Sequence, residues 1–161
     1  MVAIFSVAPL AHTAMTDDLI VVATRATFKD AQGWVDFLKS KEIPIKHVTP
    51  QEYANFSKEK YIVLMGGMDE LDGIKDIVQG LLTKEELEYI TRKGKGKMYK
   101  KYVLPKNARP SQLWGGGQNY IIFAGADRTA AATARKNSKK DWWEELSVWF
   151  DIDESPAIPP Y

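Results

Sequence analysis

The sequence predicts an α/β fold: a three-layer, Rossmann-like or flavodoxin-like domain built on a mostly parallel sheet of about five strands. Two observations carry that expectation. Short apolar runs at 19–23, 61–65 and 120–124 are continuous rather than alternating, as strands buried on both faces must be. Each is followed by apolar residues at helical spacing, and strands alternating with helices form right-handed βαβ units whose sheet is covered on both sides. A chain of 161 residues, 45% hydrophobic and 27% charged, is long enough for one such domain with a sizeable core, so a single domain over 1–161 is expected.

Leu19-Ile-Val-Val-Ala23 reads as the first strand, ending at Thr24-Arg25. Thr27 with Asp30 three residues on resembles a capping box, and Phe28, Ala31, Val35 and Leu38 recur at helical spacing behind it. Ile45 to Thr49, bounded by Pro44 and Pro50, reads as a second strand, and Pro50 to Lys58 as a short helix or turn. Tyr61-Ile-Val-Leu-Met65 is the third strand and runs into Gly66-Gly67. A helical pair follows, with Ile74, Ile77, Val78 and Leu81 on one member and a Thr83/Glu86 capping box opening the other.

Met98 to Leu104 is the candidate antiparallel edge strand, since it is rich in lysine and no helix separates it from the run at 120. Residues 105–117 form a long loop. Tyr120-Ile-Ile-Phe-Ala124 breaks at Gly125 into an Ala-rich helix from about Arg128. Asp141 to Phe150 places Trp142, Leu146 and Trp149 on one helical face, where tryptophans serve as core. Residues 151–161 read as an irregular tail. Residues 1–14 read as an ordered N-terminal arm, a signal remnant or an appended leader. No stretch reaches the roughly 20 apolar residues that cross a bilayer.

The formal net charge of +1 gives no global field for nucleic acid or membrane, so any electrostatic recruitment must be local. The chain has no cysteine, which removes disulfides, thiolate metal sites and cysteine nucleophiles. His12 and His47 are isolated, Asp69, Glu70 and Asp72 follow no EF-hand pattern, and no GxSxG elbow occurs. No GxGxxG or Walker spacing is present either, so no cofactor, metal or catalytic residue is assigned.

In a parallel sheet, ligands bind beyond the carboxyl ends of the strands. The candidate ligand-binding residues are therefore those of three strand-end turns: Thr24, Arg25 and Thr27; Gly66, Gly67 and Asp69; and Gly125, Asp127, Arg128 and Thr129. Small residues let backbone approach a ligand, helix starts favour anions, and arginine offers a bidentate fork. The structural alternative is that these glycines merely end strands, that Asp127 caps a helix, and that Arg128 pairs with Asp127 or with an acid of the 66–70 turn. A second candidate is the basic stretch Lys95, Lys97, Lys100 and Lys101 with Tyr99, joined by Trp114 of the long loop as an aromatic contact. Cations interleaved with rings bind phosphate backbones or anionic glycans. Lysines on an edge strand also protect it from pairing.

The segment Ile122-Phe-Ala-Gly-Ala-Asp-Arg-Thr-Ala130 resembles the strand-Gly-x-Asp-Arg-helix segment of cell-wall-binding repeat type 2 domains and of archaeal surface-layer-associated proteins. Tyr61-Ile-Val-Leu-Met-Gly-Gly67 is similar to the strand upstream of it in the same repeats, so the resemblance spans Tyr61 to Ala134. Thr129 stands where those repeats carry tyrosine, and Ala131 where they carry threonine. The resemblance implies a noncatalytic, extracellular or cell-envelope domain that binds an anionic envelope polymer or a neighbouring surface protein. The alternatives are a cytoplasmic small-molecule or nucleotide-binding α/β protein and a nucleic-acid-binding module using the basic stretch.

Overall fold

The computed structural model describes residues 17–104, 106 and 116–153. Its sheet has five strands in the order β2-β1-β3-β5-β4. They are β1 (Leu19–Val22), β2 (Ile45–Val48), β3 (Tyr61–Gly67), β4 (Gly96–Val103) and β5 (Gln118–Gly125). The first, second, third and fifth are parallel; β4 pairs antiparallel to β5, from Gly96 opposite Gly125 to Val103 opposite Gln118. The α/β class, the mostly parallel sheet and the antiparallel edge strand are all as the sequence predicts.

Strand residues alternate between two cores, which explains why their apolar runs are unbroken. Leu19, Val21, Val63, Met65, Ile121 and Phe123 face one core, while Ile20, Val22, Ile62, Leu64, Tyr120 and Ile122 face the other. The first core is closed by α1 (Arg25–Asp30), α2 (Gln32–Ser40) and α6 (Lys139–Trp149), with α5 (Arg128–Asn137) packed beside them. Its centre is aromatic: Trp34 meets Phe123 and Trp142 edge-on at centroid distances of 6.1 and 5.9 Å, and Tyr61 stacks on Trp149 at 5.2 Å. Trp142 and Leu146 are core residues, as their spacing implied; Trp149 packs half-buried against the same core, and Trp143, off that spacing, is buried as well. The second core is closed by α3 (Lys75–Gln79) and α4 (Lys84–Thr91), with Tyr53 and Phe56 from the β2–β3 connection. That connection holds a single 3-10 turn, Tyr53–Asn55.

Side-chain caps set three of the six helix starts among the described residues. Thr83 and Glu86 form the expected capping box of α4, and Asp127 Oδ1 accepts the Ala130 N–H at 2.7 Å to cap α5. The first helix departs from expectation. Thr24, not Thr27, is its cap, accepting from Thr27 N at 3.2 Å, and the helical segment divides at Ala31 into α1 and α2.

This order creates a switch point. The chain leaves β1 toward β2 and leaves β3 toward β5 and β4, so the carboxyl ends of β1 and β3 lie side by side where the connections diverge. Among the described residues no helix is long and apolar enough to cross a membrane.

Candidate functional site

The three strand-end turns do share one edge: Val22 is level with Leu64, and Gly66 and Gly67 with Ala124 and Gly125. At the switch point a side chain of the second turn, Glu70, takes the central place. Its Oε1 accepts hydrogen bonds from Thr24 Oγ1 at 2.9 Å and Thr27 Oγ1 at 2.6 Å, and its Oε2 accepts the Gly67 N–H at 2.9 Å. Thr24 Oγ1 in turn accepts from Thr27 N, which makes a polarised chain of donors ending on the carboxylate. Gly66 is required by this arrangement, since a Cβ there would lie 2.6 Å from Glu70 Oε2. At Gly67 a Cβ would lie 2.5 Å from the Asp127 carbonyl carbon, so close backbone approach, not a ligand, accounts for that glycine.

The neighbouring groups are similarly engaged. Arg128 does not reach the Gly66 to Glu70 turn; its Nε lies 3.0 Å from Asp30 Oδ2 at the end of α1, with both side chains about half exposed. Glu70 is taken by the threonines and Asp127 by its cap, and Arg128 pairs instead with Asp30. His47 stacks on Phe28 at 3.9 Å and donates from Nε2 to the Ala23 carbonyl at 2.9 Å. Glu52 is held below the usual carboxylate range by the Thr49 N–H and hydroxyl, with Arg25 and His47 adding to the effect. Arg25, Asp69 and Thr129 are exposed. The strand-end edge is thus a self-satisfied polar cluster that locks α1 to the β3 turn.

The basic edge is organised differently. Alternation along β4 sends Tyr99 and Lys101 toward α4 and Met98 and Lys100 toward α6. Tyr99 is 7% exposed and donates to the Glu86 carbonyl at 3.3 Å; burial, with the Glu86 charge adding, pushes its phenol up to about 12. Lys101 bridges to Glu86 at 2.7 Å and Lys100 to Glu145 at 2.7 Å. Desolvation opposes ionisation of Glu86, but the Lys101 ammonium and the Thr83 N–H outweigh it and hold that carboxyl below its ordinary value.

Two lysines remain. Lys97 lies over the Tyr99 ring at 5.7 Å, and among the described residues neither Lys95 nor Lys97 has a carboxylate within ion-pairing distance. They line an open groove of about 440 Å³ between β4 and α5, with Lys100, Thr133, Asn137 and Ser138 as further polar lining and Asp141 as its one acid. Alternation along β4 turns the Lys97 side chain toward Tyr99 and α4, so the groove has Lys95 and Lys97 at its margin beside hydroxyls and an amide, a polar and cationic setting that suits an anionic chain. Trp114 lies outside the described residues.

Sequence reasoning therefore assembled both groups of residues, but missed Glu70 as the hub of one and α5 as the opposite wall of the other. The Thr24/Thr27 spacing was the signal for the first. Polar residues at Thr133 and Asn137, one helical turn apart in an Ala-rich helix, were the signal for the second. No protein-family model matches this sequence, and neither a curated protein nor a solved structure does.

Proposed function

We propose that this chain is a noncatalytic binding domain of the cell envelope, which seats an anionic polymer in the groove between β4 and α5. The observation that carries the reading is the pair Lys95 and Lys97, two cations without carboxylate partners beside a polar groove. In contrast, Lys100 and Lys101 are neutralised by Glu145 and Glu86 and serve chiefly to fasten the edge strand. The strand-end edge supports the assignment by default, because its acceptors and donors already satisfy one another. The envelope setting rests on the likeness of Tyr61 to Gly67 and Ile122 to Ala130 to cell-wall-binding repeats.

The test is binding of a poly(glycerol phosphate) chain by the wild type and by a Lys95→Gln/Lys97→Gln variant over a range of salt concentrations. Each lost phosphate contact lowers the slope of log affinity against log salt by roughly 0.7 to 0.9, so the double variant is expected to lose more than one unit. Equal affinity and slope in the two proteins would remove the groove from the reading. Single-stranded DNA binding more tightly than the polymer under matched salt would replace the envelope ligand with nucleic acid.

A further inference from the structure

The sheet ends on β4, and among the described residues no strand pairs with its outer side. The hydrogen bonds of β5 show which backbone groups of β4 are left over. Asn119 N donates to Lys60 O and Gly125 O accepts from Met68 N, so the odd-numbered residues of β5 face the β3 side. Its even-numbered residues face β4, and just beyond the strand the Ala126 N–H donates to Lys95 O in the same sense. The antiparallel register carries this pattern along β4. Lys97, Tyr99, Lys101 and Val103 exchange bonds with β5, while Gly96, Met98, Lys100 and Tyr102 turn N–H and C=O outward. The pairing runs from Gly96 to Val103 without a bulge, and no proline interrupts it.

Lysine is what guards this edge. Lys100 and Lys101 are tied to Glu145 and Glu86, whereas Lys95 and Lys97 have no carboxylate within ion-pairing distance among the described residues. A second copy of the chain, pairing antiparallel through the outward groups, would set Lys97 opposite Lys101, Lys100 opposite itself, or Lys95 opposite Lys101, according to register. Like charges facing one another across a strand pair are unfavourable, so the edge is closed to its own kind. A strand with carboxylates at alternate positions meets the reverse condition. Its acids share one face at the spacing of Lys95 and Lys97, and each supplies the counter-charge these cations lack.

We propose that the outer side of β4 is a docking edge for an extended acidic peptide. The peptide joins the sheet as a further strand through the outward N–H and C=O groups of Gly96, Met98, Lys100 and Tyr102, and sets its carboxylates beside Lys95 and Lys97. The backbone ladder supplies affinity, and the lysines select the partner by repelling a basic strand and accepting an acidic one. The edge shares Lys95 and Lys97 with the polymer groove but neither its ligand nor its contacts, and stands whether or not that reading holds.

The test is amide hydrogen exchange on the full ¹⁵N-labelled chain with the peptide acetyl-Thr-Glu-Val-Glu-Val-Glu-Thr-amide. The N–H groups of Met98, Lys100 and Tyr102 should exchange readily in the free chain and gain protection with the peptide. Those of Tyr99 and Lys101, already bonded to β5, should stay protected throughout. Lys100→Pro removes one outward donor and no bond to β5, a change that an edge strand tolerates. It should lower peptide affinity well beyond Lys100→Ala, which loses the same bridge to Glu145. Lys95→Gln/Lys97→Gln should weaken binding several-fold, and the same peptide with lysine in place of glutamate should not bind. Poly(glycerol phosphate) should bind the two Lys100 variants alike, which separates failure of this edge from failure of the polymer groove. Absence of peptide binding, binding without protection of the outward amides, or equal affinity of the two Lys100 variants for the peptide would overturn the proposal.

Discussion

Replacing Glu70 by alanine tests the central claim about the strand-end edge, that it is a structural lock. The carboxylate accepts three hydrogen bonds, at 2.9, 2.6 and 2.9 Å, from Thr24, Thr27 and Gly67. A hydrogen bond to a charged group contributes about 1.5–3 kcal/mol net. Thr27 is buried, so its hydroxyl would be left unmet, whereas Thr24 and Glu70 are partly exposed and water would recover part of the loss. The trio is not additive, and a net cost of about 3 kcal/mol is expected. In a chain of this size that lowers the melting temperature by roughly 6–12 °C. Thermal and urea unfolding of Glu70→Ala, Thr27→Val and the double variant would supply the numbers, with a coupling energy of about 1–2 kcal/mol expected between the two sites. A Glu70→Ala cost below about 1 kcal/mol, with no coupling, would mean that water serves the threonines as well as Glu70 does and that the lock reasoning is wrong.

Three other outcomes follow from the same geometry. Glu86 is held below its unfolded value of about 4.3, so the stability its bridge to Lys101 supplies is full above that pH and lost as pH falls through the lower folded value. The urea stability gap between wild type and Lys101→Met should accordingly be present at neutral pH and vanish in acid; a gap that persists in acid would refute the linkage. In alkaline absorbance titration, Tyr99 should ionise at about 12, with Tyr120, buried and hydrogen-bonded to Tyr53 at 2.7 Å, later still. The Tyr99→Phe difference spectrum locates that step, and a midpoint near 10 would show the ring to be exposed. Arg128→Ala should cost no more than about 1 kcal/mol by chemical denaturation, because the Asp30 pair is half exposed; a larger loss would show a contact beyond that pair.

The fold was legible because burial on both faces leaves a local trace. A strand with both sides covered has no polar positions, and the runs at 19–23, 61–65 and 120–124 showed this without reference to any neighbour. The start of α1 was misread for the opposite reason. Thr24 and Thr27 are three residues apart and both hydroxyls can cap; what assigns them is a carboxylate 46 and 43 residues further along the chain. The lysines of β4 were likewise visible as a set, but their division into paired and free members was not. Glu86 lies 15 residues from Lys101, and Glu145 lies 45 residues from Lys100. Only the packing of α4 and α6 on opposite faces of one edge strand sorts them.

The two arginines of α5 carry this point furthest. Arg128 drew attention because it opens a helix, where a cation is disfavoured and calls for a partner. It found one in Asp30 and stayed at the surface, so its position needs nothing further. Arg135 sits seven residues later in the same Ala-rich helix, in the last turn where a cation suits the helix dipole, and so gave no sign of conflict. Its burial comes from Trp34 on α2 and Met65 on β3, which local pattern does not place beside it. A local rule identifies a charge that is awkward for its own helix. It does not identify one that neighbouring elements cover, as Trp34 and Met65 cover Arg135.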